Sequence, residues 1–155
     1  VAWDGHVLAA DRQFTQAGLR RSGTKLACVG ALRLGCVGSA AYGAALQAWV
    51  RAGRKVTDWP KPASHDDADD GTLIVIEDGK VLVYEGQPHP FVIEDTFAAF
   101  GSGRDYAMAA MALGQDAQQA VELACRFENG CGMGVDVLTP PAMVEDVDVV
   151  APWAR

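Results

Sequence analysis

The stretch Val1-Ala-Trp-Asp-Gly-His-Val-Leu-Ala-Ala-Asp11 carries the reading of the fold. Val1-Ala-Trp3 and Val7-Leu-Ala-Ala10 are short apolar runs on either side of Asp4-Gly5, a dipeptide suited to a tight hairpin turn. Outward from it, Lys25-Leu-Ala-Cys-Val29 and Leu32-Arg-Leu-Gly-Cys-Val37 flank Gly30-Ala31 in the same way. Residues 1–37 therefore read as strands, and the chain opens with two hairpins. From Ser39 to Ala52 the sequence is Ala-rich, begins with a residue suited to cap a helix, stops before Gly53, and spaces Tyr42, Leu46 and Trp49 along one helical face. This predicts a helix packed on the strands.

Further along, Val56 to Gly71 is polar, carries Pro60 and Pro62 and the acidic run Asp66-Asp67-Ala68-Asp69-Asp70, and reads as a solvated loop, with a cation site as the lesser alternative. Thr72-Leu-Ile-Val-Ile76 and Lys80-Val-Leu-Val-Tyr84 around Asp78-Gly79 form the clearest hairpin, and Phe91–Ile93 and Thr96–Phe100 are further extended pieces. Asp105–Leu113 and Asp116–Phe127 are helical stretches separated by Gly114. Val135–Leu138 returns to strand after the glycines between 130 and 134, and Val147–Val150 is read as one more strand in the tail. Hairpin connections demand antiparallel pairing, and the helices must cover the open sheet faces. The economical packing is an α+β arrangement of two stacked antiparallel sheets with helices outside. A doubly wound parallel sheet, which needs strand and helix to alternate, is excluded.

With 155 residues, 50% of them hydrophobic, and no repeat or linker, residues 1–155 are expected to form a single domain. Thirteen Lys+Arg against twenty Asp+Glu leave a formal charge of -7, so no basic field draws in nucleic acid or an anionic membrane surface. No apolar run approaches the ~20 residues that span a bilayer. The segment from Val1 to Gly5 lacks a secretory pattern, and a cytoplasmic location is the expectation. Cys28, Cys36, Cys125 and Cys131 contain no Cys-x-x-Cys and are expected as reduced, mostly buried thiols. His6, His65 and His89 stand far apart, which argues against zinc, and no cofactor is called for. Gly101-Ser-Gly-Arg-Asp-Tyr106 lacks the third glycine of a dinucleotide loop.

Val1 to Gln13, followed by Gly23-Thr-Lys25-Leu26, resembles the start of proteasome β-type subunits and of the HslV-type bacterial protease subunit. The resemblance continues through Cys36-Val-Gly38-Ser-Ala-Ala41 before a helix, Gly101-Ser102-Gly103 with Tyr106-Ala107 before another, and Gly132-Met-Gly-Val-Asp-Val137 opening a late strand. Each motif alone is common; together, in order and in the expected contexts, they are specific. The resemblance implies an N-terminal nucleophile hydrolase: a four-layer αββα sandwich, assembled as a homo-oligomeric ring that encloses polypeptide substrates, with an ATP-dependent unfoldase as a compatible partner and no cofactor or metal. The nucleophile is a first-residue threonine hydroxyl, and its own α-amine, ordinarily titrating near ~7.7–8.0, is the base.

Carried over by position, Lys25 matches the lysine beside that nucleophile, Asp11 the aspartate that holds the lysine, Gly38 the glycine whose N–H helps form the oxyanion hole, and Ser102 the serine in the network around the amine. The family's further aspartate before the late strand falls on Glu128 or Asn129, and neither is Asp. Val1 stands where the strand follows a threonine pair, so the resemblance places the nucleophile one or two positions ahead of Val1; the alternative is a catalytically inactive ring or scaffold subunit. Read without the resemblance, Asp11 is a solvated strand-end carboxylate with Arg20 and Arg21 as rival partners for it, Lys25 is a surface lysine, and Ser102 caps the following helix. Thr24, Thr72 and Ser39 have no histidine in a recognisable motif, and Met108, Met111, Trp49 and Phe97 read as core or subunit contacts.

Overall fold

The computed structural model describes residues 1–62 and 71–140. The acidic run at 66–70, the strand expected at 147–150 and the tail lie outside the described residues. Three sheets form. Strands β1 (Ala2–Trp3) and β2 (Leu8–Asp11) make the first hairpin, and among the described residues β3 (Gln13–Gln16) and β4 (Leu19–Ser22) pair only with each other. The hairpins of β5 (Leu26–Val29) with β6 (Leu32–Val37) and of β7 (Thr72–Glu77) with β8 (Lys80–Glu85) join β9 (Phe91–Ile93) in one five-stranded sheet of order β5-β6-β7-β8-β9. Strands β10 (Ala98–Ala99) and β11 (Val135–Leu138) flank the first hairpin, giving the order β10-β1-β2-β11, and every pairing is antiparallel. The opening of the chain therefore holds three hairpins rather than two. Residues 13–22 carry the additional one.

Strand alternation sorts the side chains into three cores. Val1, Trp3, Leu8 and Ala10 face Leu26, Ile74, Ile76, Val81 and Val83 between the two larger sheets. Their odd-and-even neighbours point outward: Leu73, Val75 and Tyr84 against Tyr42, Leu46, Trp49 and Val50 of α1 (Ala40–Arg51), and Ala2 and Ala9 against α2 (Arg104–Ala112) and α3 (Ala117–Phe127). The small faces of Ala2, Ala9, Ala107, Ala110, Ala117 and Ala120 bring those two helices close to their sheet. The result is the four-layer αββα sandwich expected from the order of elements. Trp49 and Met111 are buried, while Met108 and Phe97 pack partly buried against the α2–α3 core.

Helix ends follow local chemistry. Ser39 caps α1, its Oγ accepting from the Tyr42 N–H at 3.4 Å. Asp116 caps α3 in a reciprocal box with Gln119. The turn residue Asp4 reaches across the chain, one carboxylate oxygen accepting from the His6 and Val7 N–H groups and the other from the Ala117 N–H at 2.8 Å. Partial burial raises its pKa, but the three N–H donors outweigh this and hold the carboxyl below its usual range. Asp116→Ala is expected to cost about 1 kcal/mol in urea denaturation, because it removes the Gln119 N–H acceptor and leaves the first turn of α3 to Asp4 alone. An unchanged unfolding midpoint contradicts that role.

Two sequence expectations change. Ser102 is not the cap of α2: the N-cap is Gly103, and no side chain caps that end. The cysteines are all free but not mostly buried; Cys36 is buried, Cys125 and Cys131 are half-buried, and Cys28, although it shares the face of Leu26 on β5, is exposed.

Candidate active site

Asp11 ends β2 with only 3% of its surface exposed. A carboxylate buried there requires partners, and it has three. The Lys25 Nζ donates to Oδ1 at 2.6 Å, while Oδ2 accepts from the backbone N–H groups of Gln13 at 3.0 Å and Gly132 at 3.1 Å. Lys25, just before β5, is fixed from several sides: its carbonyl accepts from the Cys36 N–H at 3.0 Å, and its ammonium lies 5.4 Å from the centre of the Phe14 ring. Arg20 and Arg21 are not the partners of Asp11. Arg12, also adjacent, is turned to Asp136 instead.

The first residue of the described chain reaches the same place. Val1 exchanges backbone hydrogen bonds with Phe100, its nitrogen donating to the Phe100 carbonyl at 3.1 Å and its carbonyl accepting from the Phe100 N–H at 2.8 Å. Gly35 on β6 allows this approach, since a Cβ there would stand 2.8 Å from Val1 Cγ1. The Val1 nitrogen, Lys25 and Asp11 thus meet in one region of the fold.

Val1, Asp11, Lys25, Gly38 and Ser102 all line a single cleft of about 940 Å³. Gly38 follows β6 in a left-handed conformation, φ +88°, that disfavours a side chain, and it is exposed at the wall. Ser102 is exposed on the opposite element, its Oγ 3.9 Å from Cys131 Sγ. A smaller recess of about 100 Å³ opens beside Lys25, Gly38 and Ala44. Glu128 does not line the cleft. Its carboxylate turns back to accept from the Gly130 N–H at 2.9 Å, and its carbonyl accepts from the Cys131 N–H, so it shapes the loop after α3. The Asn129 carbonyl accepts from Gln13 Nε2 at 2.9 Å.

Sequence reasoning missed Gln13 and Cys131. Gln13 is 3% exposed and joins the Asp11 strand to the loop whose Gly132 N–H holds Asp11. Its spacing two residues beyond Asp11 in an extended stretch was the available signal. Cys131 lines the cleft, but burial and the nearby Asp11 push its thiol up, as they push Cys125 up to about 11. Neither is therefore a ready thiolate nucleophile at neutral pH. Among the described residues no group of three His, Cys, Asp or Glu is placed to hold a metal ion, and no helix is long and apolar enough to cross a membrane.

No family model matches the chain. No curated protein matches it either. Solved structures do. HslV from Trypanosoma brucei superposes with a TM-score of 0.64 at 24% identity, over 85% of this chain and 91% of that one. This is the HslV-type, proteasome-like fold. The Thiobacillus denitrificans BPH agrees, with TM-scores of 0.66 both in its complex with epoxomicin, at 19% identity, and without that compound, at 18%. Those two alignments each cover 90% of this chain, and 96% and 95% of the respective BPH chains. At this identity the likeness is one of fold, and the HslV-type fold places the two sheets and the helix layers as described above.

Proposed function

We propose that the chain is a peptidase subunit of a homo-oligomeric, self-compartmentalising ring, cleaving peptide bonds with an N-terminal threonine that lies upstream of Val1. The observation that carries the reading is the buried Asp11–Lys25 pair in the same cleft as Val1 and Gly38. Burial disfavours the ammonium form of an α-amine beside this pair and the positive charge of Lys25 adds to that, so that the neutral amine can accept the proton of the threonine hydroxyl. The hydroxyl oxygen attacks the scissile carbonyl, the Gly38 N–H stabilises the oxyanion, and the amine returns the proton to the leaving nitrogen. Water then hydrolyses the acyl-enzyme by the same route. Ser102 joins the hydrogen bonding around the amine. The likeness to HslV from Trypanosoma brucei supports the ring, and polypeptides are the substrates that such a compartment admits, with an ATP-dependent unfoldase as the partner that feeds it. No metal or cofactor enters these steps.

Hydrolysis should depend on pH through the amine. Protonation blocks the base, so the rate rises with pH through the titration of the α-amine. A rate that stays flat or falls as pH rises through the range of an α-amine contradicts this. The direct test is the first residue and intact mass of the purified full-length protein, together with its hydrolysis of an unfolded polypeptide. An exposed Thr or Ser ahead of Val1 with turnover supports the peptidase; a chain beginning at Val1 without turnover leaves the inactive ring subunit.

A further inference from the structure

We propose that the cleft prefers acidic polypeptide segments, an inference that rests on taking the cleft as the substrate site of the reading above. Its charged lining residues are Asp11, Arg21, Lys25 and Arg104. Asp11 and Lys25 neutralise each other at 2.6 Å, with 4% and 14% of their side chains exposed, and present no net charge to a ligand. Two guanidiniums remain. Arg21 lies on β4 directly across from Phe14, and both residues line the cleft. Among the described residues the Arg21 side chain has no ion pair or hydrogen bond. Arg104, the first residue of α2, has only a 3.4 Å hydrogen bond to the Gly101 carbonyl and a 3.6 Å pair with Asp105. That pair is 60% and 86% exposed and Asp105 does not line the cleft, so water screens it and the Arg104 charge stays available.

A chain of net charge -7 thus carries, on two separate elements of one cleft, two cations with little compensation and no unpaired carboxylate among the described lining residues. A guanidinium pairs with a carboxylate through two parallel hydrogen bonds, so Glu and Asp side chains find geometric as well as charge complementarity there. A lysine-rich segment meets only like charge.

The test uses full-length protein and fluorescent peptides identical except for Glu, Gln or Lys at the same positions, with binding read by anisotropy at low and high salt. At low salt the Glu peptide is expected to bind about ten-fold more tightly than the Lys peptide, the gap closing as salt screens it. The double substitution R21Q and R104Q is expected to remove most of that gap. Equal binding of the three peptides, or a gap that the double variant leaves intact, overturns the proposal. Cleavage of the same peptides is followed separately: charge-selective binding without cleavage removes the peptidase reading and keeps the preference, whereas indifferent binding with cleavage does the reverse.

Discussion

Replacing Lys25 by methionine is expected to lower peptide hydrolysis by about 10²–10³-fold while the chain stays folded. The ammonium is the cation held at the junction of Asp11 and the amine position, and methionine keeps the length and packing of the side chain without its charge. Two effects combine: the base loses the charge that lowers its pKa, and the developing negative charge loses its stabiliser. The pH–rate inflection should therefore move upward as the rate falls, a shift that a merely structural lysine does not cause. Removing one partner of a buried pair ordinarily costs ~3–5 kcal/mol because the other charge is stranded. Here the cost should lie near the low end, about 3 kcal/mol, since Asp11 keeps the Gln13 and Gly132 N–H groups. A variant within a few-fold of the parent rate, with its inflection in place, puts Lys25 outside the chemistry.

Trp3→Ala should give the largest loss of stability. Trp3 is 2% exposed in the inter-sheet core, on a strand of only two residues, and its ring covers the Arg33 guanidinium at 5.4 Å. Arg33 is itself 9% exposed, donates to the His6 carbonyl at 3.1 Å and leaves its Nε without a partner. Truncation opens a cavity between the sheets and uncovers a buried cation on one side. The expected cost is about 3–5 kcal/mol, a fall in Tm of about 10 °C by calorimetry. Trp3→Phe, which keeps an aromatic face, should lose less than half of that. A loss below about 1 kcal/mol for the alanine variant would show that β1 does not anchor the sandwich.

The layers were legible because their strands alternate and their turns are explicit. Thr72–Glu77 and Lys80–Glu85 are apolar runs around Asp78-Gly79, and both turn residues adopt positive φ. The β3–β4 hairpin escaped because Leu19–Ser22 is exposed throughout and the one buried residue of Gln13–Gln16 is a polar glutamine, which removes the period-two signal, and its turn is Ala17-Gly18. Pairings such as β1 with β10 and β2 with β11 join residues about a hundred positions apart, and local pattern holds no trace of them. Asp11, Lys25, Gly38 and Ser102, which motif order singled out, line one cleft with Val1. Glu128 was counted by sequence distance from Val135, but backbone direction after α3 turns its carboxylate onto the Gly130 N–H. Gln13 and Cys131 depend on how the loop after α3 folds over Asp11, which no single segment encodes.

The central claim is that the reacting alcohol and amine belong to one residue immediately before the Val1 strand. Full-length protein treated with a hydroxyl-directed electrophile and then digested with trypsin should carry the modification on the N-terminal peptide ending at Arg12, at a threonine or serine preceding Val1. The Lys25→Met variant should label far more slowly. Modification at Ser102 or Cys131 instead, or none on a protein that still hydrolyses peptides, would contradict the account.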